Sequence, residues 1–97
     1  MEQAQFDAFR SEAVAKGSDE VLVREWPPAK VLAPHTHPFS VWVRVVRGEM
    51  WLAVGDAVRH MRAGDEFTLA RDVLHSERYG EEGATLWVGR RHAKSDG

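Results

Sequence analysis

After residue 17, glycine and proline recur too often for any helix to persist. Pro27-Pro28, Pro34, Pro38, Gly48, Gly55, Gly64, Gly80 and Gly83 cut the span from Glu20 to Arg91 into short pieces, and both residue types are unfavourable inside helices. Within the pieces the side chains alternate. Val21, Val23 and Glu25 interleave with Leu22, Arg24 and Trp26; Phe39, Val41, Val43 and Val45 interleave with Ser40, Trp42, Arg44 and Val46; Phe67 and Leu69 alternate with polar neighbours. A period of two belongs to strands. Gly55-Asp56 suits a two-residue hairpin turn. Seven or eight short strands fit in this span, which indicates an all-β sandwich or a closed barrel.

The residues before the first break follow another rule. From Glu2 to Lys16, Phe6, Phe9 and Ala13 stand on one helical face, and Gly17 follows where a C-terminal cap belongs. Residues 1–17 therefore read as a short amphipathic helix that packs through Phe6 and Phe9 on a barrel of residues 20–91. His92 to Gly97 is polar and aperiodic, so residues 92–97 read as a frayed tail. With 97 residues in all, a single core is the expectation.

Charge and composition narrow the function. Thirteen basic against fifteen acidic residues give a net charge of -2, so there is no general basic field for nucleic acid. No apolar run approaches the roughly 20 residues that span a bilayer, and the start lacks the character of a secretory signal; no membrane association and a cytoplasmic protein are expected. The absence of cysteine leaves nitrogen and oxygen as the ligands for any metal.

Attention then falls on the five histidines. His35 and His37 stand two apart at the start of the most apolar strand region, and that spacing sends both to one face of a strand. The same parity carries Phe39, Val41, Val43 and Val45, so both imidazoles point inwards. Burying unpartnered imidazoles is costly, and a shared metal relieves the cost. His75 lies in a third strand-like run with Glu77 and Tyr79 on its parity; Tyr79 reads as a pocket wall, and Glu77 as an acceptor behind the ligands or a charge on the rim. His60 sits among charged residues and His92 in the tail, outside the set.

These residues carry a resemblance to the cupin superfamily. Its first motif orders a glycine, His-x-His, a glutamate and a glycine; here His35-Thr36-His37 and Gly48 match, while Ala29 and Val41 replace the first glycine and the glutamate. Its second motif orders a glycine, Pro-x-Gly, a histidine and an asparagine; Gly64 and His75 match, and Ala70, Asp72 and Tyr79 replace the rest. Fifteen residues separate Gly48 from Gly64, as in compact bacterial members. The resemblance implies a double-stranded β-helix, the cupin jelly-roll barrel, with the N-terminal helix added.

It also implies a metal site at His35, His37 and His75, with a divalent ion (iron, nickel or zinc) as cofactor. With Val41 at the glutamate position the ligands reduce to three neutral imidazoles, as in some cupin dioxygenases. Phe39, Val41, Val43, Phe67, Leu69, Glu77 and Tyr79 are the expected pocket, and a small molecule is the expected ligand or substrate. Three functions remain: a metal-dependent, dioxygenase-like enzyme, a non-catalytic binding or sensing module, or a structural barrel whose metal-bound imidazoles close the core. A homodimer is expected, with Trp42, Arg44 and Val46 on the face opposite the pocket as its interface.

Overall fold

The computed structural model describes residues 2–93. Helix α1 (Glu2–Ala15) precedes six strands: β1 (Glu20–Trp26), β2 (Val31–His35), β3 (Ser40–Val54), β4 (Ala57–Arg62), β5 (Glu66–Leu69) and β6 (His75–Arg91). The helix stops where glycine allows it. The Ser18 N–H reaches back to the Ala13 carbonyl and the Gly17 N–H to that of Val14, and Gly17 takes a positive φ of 104°, the geometry of a Schellman cap.

Two long strands organise the barrel. All pairs are antiparallel, and the first half of β3 lies between β5 and the second half of β6, which also pairs β1. The second half of β3 lies between β4 and the first half of β6, which also pairs β2. Each long strand thus belongs to both walls of a jelly roll, and it must bend to pass from one to the other. The bend sits where register shifts fall at Val45/Arg47 and Gly48/Met50. Gly48 has φ 80°, and a Cβ there would run into the carbonyl oxygen of Gly83 on β6. No other residue fits.

This explains why the strands are fewer than their glycines implied. Six strands, not seven or eight, are present among the described residues, because Gly48, Gly80 and Gly83 bend β3 and β6 without ending them. Gly55-Asp56 does form the expected two-residue turn, with Val54 facing Ala57.

Two buried clusters follow from this arrangement. The larger fills the barrel with Val43, Val45, Met50, Leu52, Met61, Phe67, Tyr79, Ala84, Leu86 and Val88. The smaller lies outside the sheet, where Phe9 and Ala13 of α1 cover Trp42 and Trp87. The Phe9 ring stacks on Trp42 at 4.5 Å, and Phe6 meets Trp87 edge-on at 5.4 Å. The face expected to form a homodimer interface is therefore covered within the chain: Trp42 lies under α1, Val46 packs on the same cluster, and Arg44 pairs with Glu66 at 2.7 Å. An apolar strand face needs a cover, and the helix supplies it.

The C-terminal end is tied back at its first residues. The Asp19 carboxylate accepts the backbone N–H groups of His92 and Ala93, and these bonds hold its pKa below the ordinary carboxylate value. Residues 94–97 of the expected tail lie outside the described residues.

Phe9 is fully buried, so truncating it leaves a cavity against two indoles. Phe9→Ala should destabilise the protein by about 3–5 kcal/mol, read from urea denaturation. A loss under about 1 kcal/mol would mean that the helix does not contribute to the fold.

Candidate functional site

The three histidines reach one point by three different routes. His35 is the last residue of β2 and His75 the first of β6, and the two face each other across the antiparallel pair. His37 lies beyond the end of β2, in the segment leading to β3; its carbonyl accepts the Asp72 N–H at 2.9 Å. The ring centroids of His35 lie 4.3 Å from His75 and 4.8 Å from His37, and those of His37 and His75 are 5.1 Å apart. One ring nitrogen from each residue falls within 4.8 Å of the other two.

Backbone carbonyls orient two of the rings. His35 Nδ1 lies 2.7 Å from the Ala33 carbonyl and His75 Nδ1 lies 2.9 Å from that of Val73. A carbonyl only accepts, so both Nδ1 atoms carry a hydrogen, and in the neutral rings both Nε2 atoms present lone pairs. Those lone pairs meet a carboxylate. Glu77 Oε2 stands 3.3 Å from His75 Nε2 and 3.6 Å from His35 Nε2, while the Tyr79 hydroxyl donates to Glu77 Oε1. His75 is only 4% exposed and the Glu77 side chain 11%.

The electrostatics follow from burial. Desolvation, then the neighbouring charges of His35 and His75, hold His37 below the ordinary imidazole value of 6.5. Burial, with the Glu77 carboxylate beside it, pushes the Tyr79 phenol far up. Tyr79 therefore keeps its proton and remains a donor.

A cavity of about 380 Å³ opens beside the imidazoles, lined by His35, His37 and His75 and by Phe39, Val41, Val43, Phe67, Leu69 and Glu77 of the expected pocket. Tyr79 is absent from this lining. It is buried behind it, stacked on Trp26 at 5.3 Å. Glu77 shares the parity of His75 and lines the cavity, whereas the Tyr79 ring belongs to the buried core cluster just before β6 bends.

Sequence reasoning missed the walls given by β1, β2 and the end of β6: Arg24, Trp26, Leu32, Leu86, Val88 and Arg90. Their alternation was visible, yet only the pairing of β1 and β3 with β6 aims them here. The Arg90 guanidinium lies 4.8 Å over the Phe39 ring, and its Nε is buried without a hydrogen-bond partner among the described residues. A larger concavity of about 740 Å³ lies elsewhere, around Trp51, Arg62 and Arg78, and among the described residues the metal-capable group of side chains does not lie in it.

His60 and His92 lie outside the site. The His60 ring stacks on Trp51 at 4.5 Å and its Nε2 lies 2.6 Å from Glu49; His92 Nε2 lies 2.7 Å from Glu20.

Comparison with known proteins agrees with this architecture. The family model of the AraC-like ligand binding domain matches residues 19–94. Among solved structures, an RmlC-like cupin from Shewanella frigidimarina superposes with a TM-score of 0.64 at 25% identity, covering 79% of this chain and 70% of that one. The Schizosaccharomyces pombe Cnp3 cupin domain superposes with a TM-score of 0.67 at 16% identity over 73% of this chain, which spans 50% of that one. KdgF from Halomonas sp. gives a TM-score of 0.63 at 17% identity, with 78% of this chain and 69% of that chain covered. No curated protein matches.

The depressed pKa of His37 fixes a pH response. Below 6.5 the unfolded chain takes up this proton before the folded one does, so the metal-free protein should lose stability as pH falls through that range. Proton NMR should give His37 a titration midpoint below 6.5. A midpoint at or above that value would contradict the burial argument.

Proposed function

The chain belongs to the AraC-like ligand-binding domain family of the cupin superfamily, and from that premise we propose that it binds a divalent metal through His35, His37 and His75 and holds a small organic ligand beside it. The observation that carries this reading is the pair of Nε2 lone pairs on His35 and His75, fixed by the Nδ1 bonds to backbone carbonyls and turned towards one another's space. Metal-ligating histidines characteristically donate their second nitrogen in this way. The donor set, neutral imidazole without thiolate, suits zinc, nickel or iron(II). When bound, such an ion supplies Lewis acidity towards an oxygen-bearing ligand.

The protein's own residues define the rest. Phe39, Val41, Val43, Phe67 and Leu69 present an apolar wall that excludes water from one side of the ligand. Arg24 and Arg90 line the same cavity and bring two positive charges to it. An acidic small molecule fits best. Its carboxylate meets the arginines while its other oxygens face the imidazoles.

Turnover, dioxygenase-like in class, is one use of such a site; a ligand-holding module is the second reading. The second is favoured by a specific observation. With the three imidazoles committed to an ion, Glu77 is the remaining carboxylate of the cavity, and Tyr79 behind it holds its proton too tightly to act as an acid. Ligand-induced stabilisation without product formation supports the module. Product formation that depends on the metal supports the enzyme.

Elemental analysis of untagged protein after reconstitution should give close to one ion per chain at neutral pH, and His75→Ala should reduce that below a tenth. His60→Ala and His92→Ala should leave it unchanged. Because imidazoles must be neutral to coordinate, affinity should fall steeply as pH drops towards about 5. Negligible metal in the parent protein would overturn the reading.

A further inference from the structure

The superfamily resemblance leaves the metal site one carboxylate short, because Val41 stands at the glutamate position. The described residues nonetheless include a carboxylate in the same cavity, two positions after His75 on β6. We propose that Glu77 is the fourth protein ligand, so that this chain keeps a three-histidine, one-carboxylate site with the acid moved from β3 to β6. The inference rests on the metal-binding reading above and adds a residue to it.

The argument begins with hydrogens. Each Nδ1–H of His35 and His75 is given to a backbone carbonyl, and the Tyr79 hydroxyl hydrogen is given to Glu77 Oε1. With both rings neutral, as coordination requires, what remains is Nε2, Nε2 and Oε2, three acceptors turned towards one another. Acceptors that converge in a partly buried site repel unless a cation lies among them.

Distance separates a proton from a metal in that role. A proton shared between an imidazolium and a carboxylate draws nitrogen and oxygen to about 2.7–2.9 Å. The separations here are 3.3 and 3.6 Å, and one oxygen serves both rings. Two ligands each about 2.0–2.1 Å from one ion, at octahedral or tetrahedral angles, stand about 2.8–3.4 Å apart. The 3.3 Å separation falls within that range and the 3.6 Å one lies just beyond it, and both are too long for a shared proton.

Tyr79 completes the arrangement as a positioning residue. By holding Oε1 it leaves Oε2 alone facing the rings. Val41 lines the same cavity, so a valine there removes a second carboxylate that would repel Glu77.

Cobalt(II) titration of metal-free protein, followed by visible absorption and by competition with a chelator, tests the proposal. Glu77→Gln keeps the bulk of the side chain and an acceptor for Tyr79 while removing the charge. It should bind cobalt at least tenfold more weakly and with a shifted ligand-field spectrum, and its metal-free melting temperature should equal or exceed the parent's, since one of three opposed acceptors is neutralised. Adding Val41→Glu to Glu77→Gln should restore part of the affinity. An unchanged spectrum and affinity in Glu77→Gln, beside normal cobalt binding by the parent, would overturn the role of Glu77 alone. So would a lower metal-free melting temperature with cobalt binding intact, which is the pattern of a purely structural carboxylate. A parent protein that binds no cobalt would overturn the metal reading together with this inference.

Discussion

Lone pairs of three side chains, His35, His75 and Glu77, are held face to face by bonds made at their far ends. The carbonyls of Ala33 and Val73 fix the two rings, and the Tyr79 hydroxyl fixes the carboxylate. The Ala33 carbonyl belongs to β2 and the Tyr79 ring to the core, while the Val73 carbonyl lies in the turn that leads into β6. With both rings neutral, electrostatic repulsion among the three is a cost within the metal-free structure. On the proposed reading, a cation at their centre would offset that cost.

The scaffold exists to hold β2 beside the start of β6. β6 spans both walls because Gly48 and Gly83 let the two long strands pass within backbone contact as they bend. The same bend explains why Glu77 and Tyr79, two residues apart, take different surroundings: one faces the cavity and the other enters the core. On the far side, α1 closes the sheet over Trp42 and Trp87. The chemistry is thereby left to one mouth of the barrel.

Much of this was legible in the residues. Alternation gave the strands, Gly17 gave the end of the helix, and the spacing of His35 and His37 with the resemblance through His75 brought out the three imidazoles that the structure gathers. The strand count was not legible, because a glycine that bends a strand and one that ends it look alike in sequence. Nor was the cover over Trp42, since parity shows which face a residue takes but not what lies on it. Arg24, Trp26 and Arg90 were hidden for a related reason: they reach the cavity through pairings sixty or so residues apart, as Arg24 with Leu86 and Trp26 with Ala84. The nearness of Glu77 to the His35 nitrogen depends on the facing of β2 and β6, which no local pattern encodes.

The central claim is that these imidazoles ligate one ion together, and X-ray absorption at the metal edge of zinc- or nickel-loaded protein tests it most directly. The account predicts a first shell of nitrogen and oxygen at about 2.0–2.1 Å with the outer-shell scattering of three imidazole rings. A shell of oxygen alone, without imidazole scattering, would contradict it.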